Sequence, residues 1–234
     1  MRNSFSNVSG NLFSRNFGGT TIGVADPYIT GYHFIHFDSF PDIISYIPKR
    51  CNLSASEVTQ VLSATCTGVT PPGGTLNKIE FTGLGGTKWA VPGNIDYGNT
   101  VSLKFVEMES LPIASIMHGW VKLMRDYRHG AAHIAHGVDD STKKRYSALL
   151  YYWTTAPDGI TVQYYACYDG VFPAKDPQDL FASDVETIGK LDVEIEFNVD
   201  YTWHEEWVRD KCQAFSDGNA ARRNNIESRN YKGN

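Results

Sequence analysis

VPGNIDYGNTVSLKFVEMESLPIASIMHGWVKLMRDY, residues 91–127, reads as a turn, a strand and an amphipathic helix. Pro92-Gly93 and Gly98-Asn99 mark turns, because proline presets φ and glycine or asparagine tolerates a positive one. Val101, Leu103 and Phe105 alternate with Ser102 and Lys104, the two-residue period of a half-buried strand. Leu111-Pro112 opens a helix, since a proline in the first turn lacks only an N–H that the helix would leave unpaired. Ile113, Ile116, Met117, Trp120, Val121, Met124 and Tyr127 then recur on one helical stripe, with Arg125, Asp126 and Arg128 on the wet side. Such a unit builds scaffold; it contains no catalytic constellation.

Working outward, residues 28–37 supply the β-formers of another strand, and Ser54-x-x-Glu57 is a capping box that starts a short helix. Thr70-Pro71-Pro72-Gly73-Gly74 ends that helix, and residues 76–82 begin a strand. Residues 147–153 and 160–165 form a hairpin around a Pro-Asp-Gly turn. Residues 191–199 are the last strand, and residues 201–215 a helix with Trp203 and Trp207 along one side. The expected organisation is an extended arm at 1–27, a β domain at 28–215 and a polar tail without structure at 216–234. The arm, with Phe5, Leu12, Phe13 and Phe17 among Ser, Asn and Gly, reads either as a loose end or as a docking segment.

With 234 residues, 41% hydrophobic and 20% charged, the chain can bury a real core. Aromatics at 13% favour strands and interfaces. A net charge of −5 argues against a phosphate-holding groove as the main business. Cys51, Cys66, Cys167 and Cys212 lack metal-ligand spacing and read as free thiols, with a Cys51–Cys66 disulfide as the alternative. No apolar run reaches the roughly 20 residues of a membrane span, so a soluble protein made in the cytoplasm is expected.

The tempting chemical motifs are weak ones. Leu84-Gly85-Gly86-Thr87-Lys88 fails the phosphate-loop spacing and suits a hairpin turn. His129, His133 and His136, followed by Asp139 and Asp140, approach metal-ligand spacing, but Gly130 and Gly137 oppose the helix that would align them. No metal, no cofactor and no enzymatic activity are expected. Asp192, Glu194, Glu196 and Asp200 fall on one side of the last strand, opposite Leu191, Val193, Ile195, Phe197 and Val199. Carboxylates about 7 Å apart along a strand with no cradle for a sugar make a poor glycosidase pair. A solvated face and a subunit contact are the two readings of these residues.

The order Val91-Pro92, Gly98 to Phe105, Leu111-Pro112-Ile113 and Gly119-Trp120 resembles the tail tube proteins of contractile-tailed bacteriophages. Gly170-Val171-Phe172-Pro173 sits where that family places a G-x-x-P turn, and residues 195–200 sit at its last core strand. The resemblance spans residues 28–208. It implies a mainly β subunit, a sandwich or barrel with flanking helices, that closes into hexameric rings stacking into a tube for double-stranded DNA. Implied partners are further copies of itself, the tail sheath, the baseplate and the tail terminator, with no membrane insertion; the implied location is the virion tail. Within that resemblance Asp192, Glu194, Glu196 and Asp200 become candidate lumen-lining residues. A baseplate-proximal tube initiator or a secretion-system tube ring is the near alternative. A different class is a β-sandwich module binding carbohydrate or a receptor, with Tyr151, Tyr152, Tyr164 and Tyr165 as its platform.

Overall fold

The computed structural model describes residues 14–17, 20–23, 32–48, 51, 53–83, 86–125, 143–176 and 191–231, with backbone alone at 14–17, 20–23, 96–97 and 222–231. Residues 1–31 and 32–234 are separate units. In the first, β1 (Ser14–Phe17) and β2 (Thr20–Gly23) pair antiparallel, within the segment expected to be an extended arm.

The second unit begins with β3 (His33–Asp38) and a short 3-10 turn at Ile44–Tyr46. Ser54 then caps α1 (Ala55–Thr65): its N–H donates to Glu57 Oε2 at 2.8 Å, completing the expected capping box. After α1 come β4 (Cys66–Thr70), β5 (Gly74–Thr82), β6 (Lys88–Tyr97), β7 (Thr100–Val106) and α2 (Pro112–Met124). The chain continues through β8 (Ala148–Thr155), β9 (Val162–Pro173), β10 (Asp192–Asn198), β11 (Tyr201–Trp203) and α3 (Glu206–Tyr231). The protein is mainly β with flanking helices.

Seven strands form one antiparallel sheet in the order β3-β8-β9-β10-β7-β4, with β11 also pairing β9. This sheet folds over on itself. Strands β3 and β10 are three places apart, which in a flat sheet means about 14 Å at the usual spacing. Yet the rings of Phe37 on β3 and Phe197 on β10 stand 6.1 Å apart. The two ends of the order, β3 and β4, also touch. The result is a sandwich-like sheet whose end strands do not pair with each other.

Strand β9 carries the bend. Its register against β8 shifts between Ala148 and Leu150, and Gly170 there has φ +68. An added Cβ would collide with the Asp200 carboxylate, so glycine is required twice over. The Gly170–Pro173 stretch is therefore a bulged strand end, not the turn the family resemblance implies. Beyond it, Phe172 and Pro173 pass over to β10.

Val101, Leu103 and Phe105 of β7 pair with Phe197, Ile195 and Val193 of β10, and all six face the core. Helix α2 closes that core with Ile113, Ile116, Met117 and Trp120, while Val121 and Met124 are only half-buried and Tyr127 lies outside the described residues. Trp120 meets the edges of Phe37 and Phe40, and its indole N–H donates to the Tyr146 carbonyl at 2.6 Å. Leu111, the residue before α2, adopts a left-handed φ of 52, which gives the helix no side-chain cap of its own. Glu107 supplies one from outside: its carboxylate accepts from the N–H groups of Ile113 at 3.1 Å and Ala114 at 2.8 Å.

A second apolar cluster lies on the opposite side of β8 and β9. Val208 and Cys212 of α3 pack there on Tyr151, Trp153 and Cys167. Double-sided burial explains why β8 reads as an unbroken apolar run instead of an alternation. Burial pushes the Cys167 and Cys212 thiols up to about 12. Cys51 and Cys66 are separate thiols, Cys51 donating to Ser115 Oγ at 3.1 Å.

Three further expectations change. Pro92-Gly93 is not a turn but a bulge inside β6, where Lys78 opposes Pro92 and Leu76 opposes Ile95. Gly93 fits because a Cβ would stand 3.0 Å from the Asn77 carbonyl. Residues 201–203 are a strand paired with β9, so the final helix starts at Glu206. That helix continues to Tyr231 through the polar segment expected to lack structure.

Candidate functional site

Strand β10 alternates as its sequence requires. Asp192, Glu194 and Glu196 are exposed, while Val193, Ile195 and Phe197 are buried. Opposite Glu194 and Glu196 on β7 stand Lys104 and Ser102. Glu194 accepts from Ser102 Oγ at 2.8 Å and faces Lys104 Nζ at 3.4 Å. Those contacts, the serine hydroxyl first, hold its carboxyl below the ordinary glutamate value. The side of the sheet that α3 covers at β8 and β9 is thus bare, polar and mostly acidic along β10 and β7.

Asp200 does not share this patch. The chain leaves β10 after Asn198, the Asp200 N–H donates to the Asp169 carbonyl at 3.0 Å, and its carboxylate pairs with Lys143 against Gly170. The face expected to hold four carboxylates holds three, because the strand ends before the fourth. The arrangement can repel phosphate or attract cations, and nothing in it positions an acid and a base about one bond.

A second surface is absent from the sequence-based list. Strands β5 and β6 form a two-stranded ribbon of their own, and the described side chains of both are largely exposed. Register places Phe81 opposite Trp89 and Ile79 opposite Val91 on one face. Lys78, Glu80 and Lys88 belong to the other face, where Lys78 and Glu80 pair at 2.5 Å. Phe81 and Trp89 stack at 6.3 Å, and Trp89 remains 53% exposed. Across the bulge, Leu76 and Ile95 form a further exposed apolar pair. Residues 76–82 read from the sequence as a strand; among the described residues, nothing buries the Ile79 and Phe81 face.

The tyrosine platform is not assembled. Tyr151 and Tyr152 are buried on opposite faces of β8, Tyr165 is half-buried, and Tyr164 alone of the four is exposed. His129, His133, His136, Asp139 and Asp140 lie outside the described residues. Among the described residues no helix is long and apolar enough to cross a membrane.

No family model and no curated protein matches the chain. Among solved structures it is similar to the sheath/tube terminator of an extracellular contractile injection system in its extended state, at 11% identity and TM-score 0.47, over 77% of this chain and 98% of that one. It is similar at 12% identity and TM-score 0.47 to the tube-terminating cap of the anti-feeding prophage, over 81% of this chain and 97% of that one. A chain of the injection system's sheath–tube complex follows at 12% identity and TM-score 0.42, over 76% and 90% of the two chains. These likenesses are distant in both sequence and geometry.

Proposed function

We propose that this chain is a structural subunit that associates with copies of itself into rings, which stack into the inner tube of a contractile tail and conduct DNA. The observation that carries self-association is the β5–β6 ribbon. A chain with a complete sheet core still holds Phe81, Trp89, Ile79 and Val91 in water. An isolated two-stranded ribbon is marginal at best, and the largest contiguous apolar patch on a monomer is often a functional surface. The motif order around residues 91–120 supports the tube assignment, and a tube initiator or a secretion-system ring shares the same assembly physics. In this reading the Asp192, Glu194 and Glu196 face lines the channel, where like charge keeps phosphates from adhering.

Negative-stain imaging and light scattering of the purified chain across a concentration series test the reading. Rings with a central channel, or tubes, are the expected outcome. A strictly monomeric species at the highest concentration, with no rings on the grid, would sink it.

A further inference from the structure

Strand β3 ends the sheet order, and a slot of about 850 Å³ runs beside it. His33, Phe34, Ile35 and His36 all line this slot. Consecutive side chains of a strand face opposite sides, so a recess touching four in a row follows the edge of the strand, not its face. The Thr155 N–H donates to the Tyr32 carbonyl, which assigns residues 32, 34 and 36 to the ladder with β8. In an antiparallel pair the intervening residues point their N–H and C=O groups the other way. His33, Ile35 and Phe37 therefore aim their backbone groups outward along that edge, where no ladder forms among the described residues.

The walls are two helices. Thr59, Gln60 and Ser63 present the polar side of α1, and Phe215 and Gly218 present α3. His33 Nε2 is buried at this edge without a hydrogen-bond partner among the described residues. Unpaired N–H and C=O groups along a strand edge are a ready template for an added strand.

We propose that the slot receives the β5–β6 ribbon of a second copy of the chain, laid along the β3 edge as an added strand. The inference rests on the self-assembly reading above and names its interface. The same chain carries both halves: a recess with an open edge, and a projecting ribbon whose outer edges pair with no other strand among the described residues. The areas also agree. On one face, Ile79, Phe81, Trp89 and Val91 are 39–53% exposed. At about 200 Å² for a large side chain, they leave roughly 400 Å² of apolar surface bare. A standard interface takes about 800 Å² per partner, a little over half of it apolar. Ribbon into slot is a head-to-tail contact, which propagates around a ring where a face-to-face contact would stop at a dimer.

Sedimentation velocity on the full-length chain tests this with one ribbon variant, Phe81→Ser with Trp89→Ser, and one slot variant, Gln60→Trp. Both change exposed side chains, and an unaltered thermal melt of each monomer verifies the fold. Each variant alone is expected to stay monomeric. Mixed in equal amounts they are expected to form a one-to-one dimer and nothing larger, because one intact ribbon then meets one intact slot. If the wild type assembles but the mixture does not, the ribbon pairs elsewhere, for example with another ribbon, and this inference falls while the assembly reading stands. Assembly of either variant alone as efficiently as wild type overturns the inference in the same way. A wild type that remains monomeric throughout overturns both.

Discussion

Trp120 shows how one side chain ties several elements together. Its ring sits at 0% exposure between Phe37, Phe40 and Phe197, and its one polar atom is matched to the Tyr146 carbonyl. Replacement by alanine removes the transfer free energy of the ring, leaves a cavity and orphans a carbonyl. Trp120→Ala is expected to destabilise the subunit by about 3–5 kcal/mol, read as a lower denaturant midpoint with an unchanged slope. Trp89 supplies the control, since it is 53% exposed on the ribbon. Trp89→Ala should shift monomer stability by less than about 0.5 kcal/mol. Equal effects from the two would mean that burial has been assigned to the wrong tryptophan.

Helix α2 depends on a residue that is not part of it. With Leu111 left-handed and without a side-chain cap, the first amides of α2 rely on the Glu107 carboxylate. The negative charge also lies at the positive end of the helix dipole. Glu107→Ala is expected to cost about 1 kcal/mol, a fall of roughly 2–4 °C in a chain of this size. Glu107→Gln should retain part of that, since the amide oxygen still accepts. An unchanged melt for both would show that the helix is held by its apolar stripe alone. Strand β8 teaches the complementary lesson about elements: it buries Leu150 and Tyr152 in the core on one side and Tyr151 and Trp153 against α3 on the other.

In the proposed tube, symmetry would repeat the acidic patch around the channel. Reversing Asp192, Glu194 and Glu196 to lysine leaves the buried half of β10 untouched, so the subunit should fold and assemble. A tube built from it should retain double-stranded DNA, with retention falling steeply as salt is added, because each lysine–phosphate contact releases counterions. A variant that fails to assemble would assign this face to a subunit contact. Assembly with no change in DNA retention would put the face on the outside and end the channel reading.

How much of this was legible from residues follows a physical boundary. Local signals transferred well: the Ser54–Glu57 capping box, the Pro112 helix start, and the alternation of β7 and β10 all rest on neighbours within a few positions. Signals that depend on distant partners did not. Pro92-Gly93 has the composition of a turn but is a bulge, because Asn77 on the paired strand sets its neighbourhood. Gly170 bends a strand because Asp200 lies against it. The helix through residue 231 has a polar composition that resembles a loose tail, and its first turns are anchored by Val208 and Cys212 on the outer face of β8 and β9. The same boundary divides the candidate surfaces. Alternation alone announced four carboxylates on one face; it holds for Asp192, Glu194 and Glu196, which lie within β10, and fails for Asp200, because the strand ends at Asn198. Whether the other face of a strand is covered depends on what the fold brings to it: β7 and β10 find a core, and β5 with β6 finds none among the described residues.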